Sequence, residues 1–182
     1  DESESENGIA HFIEHSIFKG THKRKAFQIL NRIDGVGGEL NAFTTKEETC
    51  IYGCFLDCYQ ERFLELLSDI VFNSTFPKKE ITKEKVVVID EINSYEDTPS
   101  ELIYDEFEKQ LFGNHPLGRL TLGTPENVNS FTSEGIKAFI DKNYSTDQMV
   151  ISIVRSIDCD KWFRLAEKYF GGYEKKTSKK QR

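Results

Sequence analysis

The chain has 182 residues, 37% hydrophobic and 30% charged, which suits one globular domain with its own core and excludes a disordered polypeptide. A net charge of −7 argues against nucleic acid as a partner, and no apolar run approaches the roughly 20 residues of a membrane-spanning helix. No secretory signal is present, which points to the cytoplasm, and the absence of an initiator Met at Asp1 suggests a chain processed or cut from something longer.

The acidic start, Asp1 to Glu6, is expected to fray. Asn7 and Gly8 then open a helix with Ile9, Phe12 and Phe18 as core anchors, stopped by Gly20. Within it lies the run His11-Phe12-Ile13-Glu14-His15. Residues three and four apart on a helix are neighbours, so His11, Glu14 and His15 share a face. Two imidazoles so placed can grip one divalent ion while the carboxylate hangs over it, the layout of a hydrolase that activates water with zinc. The order is the inverse of the commoner H-E-x-x-H. Two histidines on a partly exposed face would look the same, so the reading needs a third ligand.

A second helix over 25–36 shows Phe27, Leu30 and Ile33 at three-residue spacing, a core stripe, with Gly35, Gly37 and Gly38 ending it. Residues 39–44 and 49–56 read as two strands of a hairpin joined around Thr45 to Glu48. Cys50, Tyr52 and Cys54 share one face of the second strand, which suits burial of the thiols as small apolar groups. Cys58 falls past the strand end, and Cys-x3-Cys-x3-Cys is one residue longer than the usual zinc pairs, so free thiols in a reducing compartment are expected.

A helix over 58–72 follows on Phe63, Leu66, Leu67 and Ile70, then a turn over 73–77, then a helix over 79–95 whose main part Thr82 caps. Glu84 and Glu91 are seven residues apart on it, two turns or about 10 Å, and share a face. One can complete a catalytic zinc set while the other holds a ligating histidine by its second ring nitrogen, and spacing leaves open which does which. After a break at Asp97 to Ser100, residues 101–112 read as a helix on Ile103, Phe107 and Leu111, and His115 in the next loop is structural. A helix from Ser130–Glu134 to Tyr144 rests on Ile136, Phe139 and Ile140. Met149 to Val154 is the strongest strand pattern, apolar enough for a central position, and a last helix over 160–170 carries Trp162, Leu165 and Tyr169 before Gly171-Gly172. The class is α+β, several helices packed on a small, largely antiparallel sheet, without internal repeats.

Taken together, these residues resemble the pitrilysin/insulinase-type zinc metalloendopeptidases, a family that includes the mitochondrial processing peptidase and bacterial homologues. The family motif is H-x-x-E-H with a ligand glutamate some seventy-odd residues on, and here 91 − 15 = 76. The resemblance therefore picks Glu91 as third ligand and puts Glu84 where the family keeps a second essential glutamate. It extends through Gly8-Ile9-Ala10, Phe18-Lys19-Gly20-Thr21, residues 37–44, Asp90-Glu91-Ile92, residues 95–99 and His115-Pro116-Leu117-Gly118-Arg119, nearly the whole chain.

The resemblance implies one zinc per chain on His11, His15 and Glu91, Glu14 as the base that activates water, and Asn41-Ala42-Phe43 as an edge strand pairing with an extended peptide substrate. It makes residues 1–173 the zinc-bearing half-domain, lacking its first strand region, and 174–182 a basic linker or tail. A second peptidase half, in cis or in trans, would complete the enzyme, with neither nucleic acid nor membrane as partner. A non-catalytic homologue serving as a binding or assembly subunit is the alternative. A closed structural zinc module is a third reading, without an obvious fourth ligand near the motif.

Overall fold

The computed structural model describes residues 2–154, 159–174 and 176–177. The elements are α1 (Ile9–Ser16), α2 (Ala26–Asp34), β1 (Glu39–Thr44), β2 (Thr49–Cys54), α3 (Gln60–Asn73), α4 (Lys78–Glu96), α5 (Pro99–Phe112), α6 (Pro125–Ser130), α7 (Ser133–Asn143) and α8 (Cys159–Phe170). β1 and β2 form an antiparallel pair in register from Glu39↔Cys54 to Thr44↔Thr49. The α+β class stands, with a sheet of two strands among the described residues.

Two apolar clusters hold the helices to the hairpin. In the first, Ile9, Phe12 and Ile13 of α1 meet Ile81, Val88 and Ile92 of α4, Val128 of α6, and Ile136 and Phe139 of α7. In the second, Ile29 and Ile33 of α2 meet Phe63, Leu66 and Ile70 of α3, with Leu40 and Ile51 of the hairpin packed alongside. Each fully buried Ile or Leu contributes about 1.5–3 kcal/mol, so these clusters decide how α1 sits on α4. Thr124 and Thr132 start α6 and α7 by accepting from the backbone N–H of Asn127 at 3.3 Å and Gly135 at 3.0 Å.

Residues 2–6, expected to fray, are tied to the fold. Glu2 caps α1, its Oε2 accepting from Gly8 N–H at 3.0 Å and its Oε1 from Ala10 N–H at 2.9 Å, a carboxylate at the positive end of a helix. Arg119 Nη1 donates to the Glu2 carbonyl at 3.0 Å and Asn7 Nδ2 to the Leu120 carbonyl at 3.0 Å, tying this end of α1 to the segment after α5.

Other expectations are corrected. α1 ends at Ser16 rather than running to Gly20. On α2 the buried pair is Ile29 and Ile33, one turn apart, whereas Phe27 and Leu30 are exposed: the helix meets α3 along the i, i+4 row, not the i, i+3 row. Ile103, Phe107 and Leu111 form the expected stripe on α5, but all three are exposed, because α5 packs on α4 and on the turn at Pro116–Gly118 with its other side. Thr82 lies inside α4, its hydroxyl donating to the Lys78 carbonyl at 3.0 Å, so it caps nothing. β2 ends at Cys54, two residues short of the expected end, and Tyr52 and Cys54 are exposed rather than buried.

Residues Met149 to Val154 form no strand. Val150 is 90% exposed and Val154 96%, so the segment has strand composition but no paired neighbour among the described residues, and a strand without a ladder leaves its backbone to water. The basic tail falls mostly outside the described residues. Among the described residues no helix is long and apolar enough to cross a membrane.

Candidate metal centre

α1 and α4 pack against each other in the first cluster, which turns the His11–His15 face of α1 onto Glu84 and Glu91 of α4. The buried stripe of α4 runs Ile81, Glu84, Val88, Ile92, so Glu84 occupies a position that helical periodicity assigns to the interior. Glu91 sits beside this stripe at the rim, its side chain 44% exposed.

Glu91 reaches both imidazoles: Oε1 is 3.6 Å from His11 Nε2 and Oε2 is 3.2 Å from His15 Nε2. The two rings meet edge to face with centroids 4.6 Å apart. One donor atom from each of His11, His15 and Glu91 lies within 4.8 Å of the other two, and among the described residues these three form the metal-competent group. Four-coordinate zinc with bonds of about 2.0–2.2 Å separates its ligand atoms by about 3.3 Å. The observed separations to Glu91 are already close to that edge, and two imidazoles with a carboxylate match catalytic zinc, so the site fits the ion. Glu14 stands on the same helix, with Oε2 buried and free of any hydrogen-bond partner among the described residues. A carboxylate oxygen without a donor is a ready proton acceptor.

Glu84 is not in the ligand group. Its Oε1 lies 3.2 Å from Nδ1 of His15, on the far side of the ring from Nε2 and Glu91, and its Oε2 lies 2.8 Å from Lys19 Nζ. The choice that spacing left open therefore falls out of packing: Glu91 faces both histidines across the donor set, and Glu84 backs one of them. Among the described residues His11 has no such support, its buried Nδ1 having no hydrogen-bond partner there.

The electrostatics separate the two histidines. Burial, aided by the charge of His15, pushes the pKa of His11 down to about 4. Burial also pulls on His15, but its bond to Glu84 and the charges of Glu91 and Glu14 outweigh that and hold it above the ordinary value. Glu84 is pushed up by burial and pulled further down by His15 and Lys19, ending below the usual carboxylate range.

On the hairpin, Asn41 and Phe43 are exposed and Ala42 is buried. The Ala42 N–H donates to the Asn41 side-chain oxygen at 2.9 Å, so it points away from β2 and toward the other edge of β1, which pairs with no strand among the described residues. His115 accepts from Leu117 N–H at 3.3 Å and caps its own turn, far from the donor group in role. Cys50, Cys54, Cys58 and Cys159 are free thiols, and none joins a metal-competent group among the described residues. Sequence reasoning missed two residues, Glu2 and Lys19. Glu2 acts through the fold of a loop, which leaves no local signal. Lys19 did leave one, since it stands four residues after His15 as His15 does after His11.

The sequence pattern of the family described as Insulinase (Peptidase family M16) matches residues 1–125, and that described as Peptidase M16 inactive domain matches 130–182. The uncharacterised zinc protease YmxG of Bacillus subtilis is 43% identical over 93% of this chain and 41% of its own length, and an uncharacterised zinc protease of Rickettsia felis is 40% identical over 93% and 41%. The chain thus spans about two fifths of these relatives. In fold it is similar to a protease from Helicobacter pylori, with TM-score 0.89 and 24% identity over all of this chain and 44% of that one. It is also similar to pitrilysin, with TM-score 0.87 and 22% identity over all of this chain and 20% of that one, and to a peptidase M16 inactive domain from Pseudomonas fluorescens, with TM-score 0.83 and 20% identity over 96% and 43%.

Proposed function

Since the chain belongs to the insulinase family, peptidase family M16, we propose that it is the zinc-bearing half-domain of an endopeptidase that hydrolyses peptides or unfolded segments. The observation that carries this reading is the convergence of His11, His15 and Glu91 donor atoms within 4.8 Å beside a carboxylate oxygen of Glu14 that lacks a partner among the described residues.

In this reading His11, His15 and Glu91 hold one zinc ion. Zinc there supplies Lewis acidity, polarising the scissile carbonyl and acidifying water. Glu14 takes the proton from the attacking water and passes it to the leaving amine. Glu84 keeps the His15 ring turned toward the metal. The free edge of β1 at Asn41, Ala42 and Phe43 holds the substrate extended, the Ala42 N–H exchanging its bond to Asn41 for a peptide carbonyl. Such strand addition asks little of the substrate's side chains, which suits unfolded segments. Residues 1–173 form the half-domain, and a second half, in cis or in trans, closes over the substrate.

A second reading has one observation in its favour, the match of residues 130–182 to the inactive domain. There the chain is a non-catalytic binding or assembly subunit. The intact donor set and Glu14 favour the first reading. Metal analysis decides between them: one zinc per chain is expected, lost in His15→Ala, and unchanged zinc in that variant rejects the ligand set. If zinc is bound but the protein assembled with its second half does not cleave an unstructured peptide, the non-catalytic reading holds.

A further inference from the structure

We propose that Lys19 is a positioning residue of the metal centre, pinning Glu84 so that its remaining oxygen orients His15. The inference rests on the zinc reading above and extends it to a side chain outside the ligand set and its carboxylates.

The geometry is a chain of three contacts. Lys19 Nζ lies 2.8 Å from Glu84 Oε2, Glu84 Oε1 lies 3.2 Å from His15 Nδ1, and Nε2 on the opposite side of that ring faces the Glu91 carboxylate at 3.2 Å. Each end of Glu84 is thereby used once. Had Lys19 not claimed Oε2, the carboxylate could turn about its last bond and lose the 3.2 Å approach of Oε1 to Nδ1 on which the histidine's orientation depends.

The charge requirement points the same way. The side chain of Glu84 is 8% exposed, and an unpaired carboxylate at that depth is strongly disfavoured because it loses its hydration without a compensating charge. His15 can offset it only while protonated, and a metal-ligating imidazole is neutral. Lys19 is the Lys or Arg that pairs with Glu84 among the described residues, so it is the cation that remains when His15 becomes a ligand.

Lys19 is also held where it is needed. Its backbone N–H donates to the Ser16 carbonyl at 3.1 Å, continuing the end of α1, and the next carbonyl, that of Gly20, accepts from Thr75 N–H at 3.0 Å. The side chain, 30% exposed, thus leaves a fixed backbone and runs back along the His15 face. The ion pair of Lys19 is with Glu84, so its influence on His15 passes through that carboxylate.

The test measures zinc dissociation constants by chelator competition on the purified chain, with folding monitored by circular dichroism. Lys19→Met is expected to weaken zinc binding roughly ten- to a hundredfold, the usual cost of losing support behind a ligand. Lys19→Arg, which keeps the charge and the donor, is expected to stay within about threefold of the parent. Parent affinity in Lys19→Met overturns the proposal, and so does an equal loss in Lys19→Arg, since that would mark the site as a matter of shape. If Lys19→Met does not fold, Lys19→Gln replaces it, and parent affinity there overturns the proposal likewise. A parent chain that takes up no zinc overturns the zinc reading itself, a result distinct from either.

Discussion

Gly8 and Gly123 meet backbone to backbone: a Cβ on Gly8 would lie 2.7 Å from the Gly123 Cα and 2.7 Å from the Leu122 carbonyl oxygen. Gly8 also holds φ at +91°, a conformation that costs an L-residue about 1–2 kcal/mol. This contact sets where α1 begins, and with it where His11 and His15 fall against α4. Gly8→Ala is therefore expected to destabilise the chain by more than about 2 kcal/mol, strain and clash adding. Urea titration reads this directly, and a change below about 0.5 kcal/mol, the range of neutral surface substitutions, would show that the segment simply moves aside.

Glu14→Gln keeps the shape of the side chain and removes the base. Zinc content should be unchanged, while cleavage of an unstructured peptide by the protein assembled with its second half should fall roughly a hundredfold or more. Activity within a factor of about three of the parent rejects the role of Glu14.

Glu84→Gln replaces the carboxylate behind His15 with an amide, which still offers one oxygen to Nδ1 but no charge to Lys19. Zinc affinity is expected to weaken roughly ten- to a hundredfold with the fold intact. Because Glu84 lies among buried residues of α4, circular dichroism should accompany the titration. Parent affinity in a folded variant would return Glu84 to a purely structural place in the α4 stripe.

The metal-free chain should lose stability on mild acidification. His11 titrates near the ordinary imidazole value of 6.5 when unfolded and at about 4 when folded, so between those pH values the unfolded state binds more protons. Stability held above pH 6.5 is lost as the pH falls toward 4, by an amount on the order of 3 kcal/mol at about 1.4 per pH unit. Glu84, lowered in the fold, adds loss in the same direction below the ordinary glutamate value of 4.5. His15 acts oppositely: its folded pKa is raised, so its contribution is complete below 6.5 and lost as the pH rises through the folded value. Denaturant titrations of metal-free parent and His11→Gln should therefore show a shallower dependence between pH 6.5 and 4 in the variant, and identical slopes would contradict the assignment to His11.

How far the sequence alone reached is set by the range of the physics at each residue. His11, Glu14 and His15 were legible as a group because helical neighbours three and four apart need nothing but the helix, and Glu84 and Glu91 were legible as a pair for the same reason. The stripes of α3 and α7 came through because their apolar rows meet partners inside this chain. Periodicity marks an apolar face without saying what covers it, so it misplaced Phe27 and Leu30 and took the exposed row of α5 for core. Composition likewise marks Met149 to Val154 as strand-like, but a strand exists only through hydrogen bonds to another, and none is present among the described residues. Tertiary structure alone decided that Glu91 meets both imidazoles while Glu84 backs His15, because the rotation of α4 against α1 is fixed by Phe12, Ile13, Val88 and Ile92 packing in one cluster. It also brought Glu2 to the start of α1, Gly123 against Gly8 and Lys19 onto Glu84. Those contacts join residues that only chain folding makes neighbours.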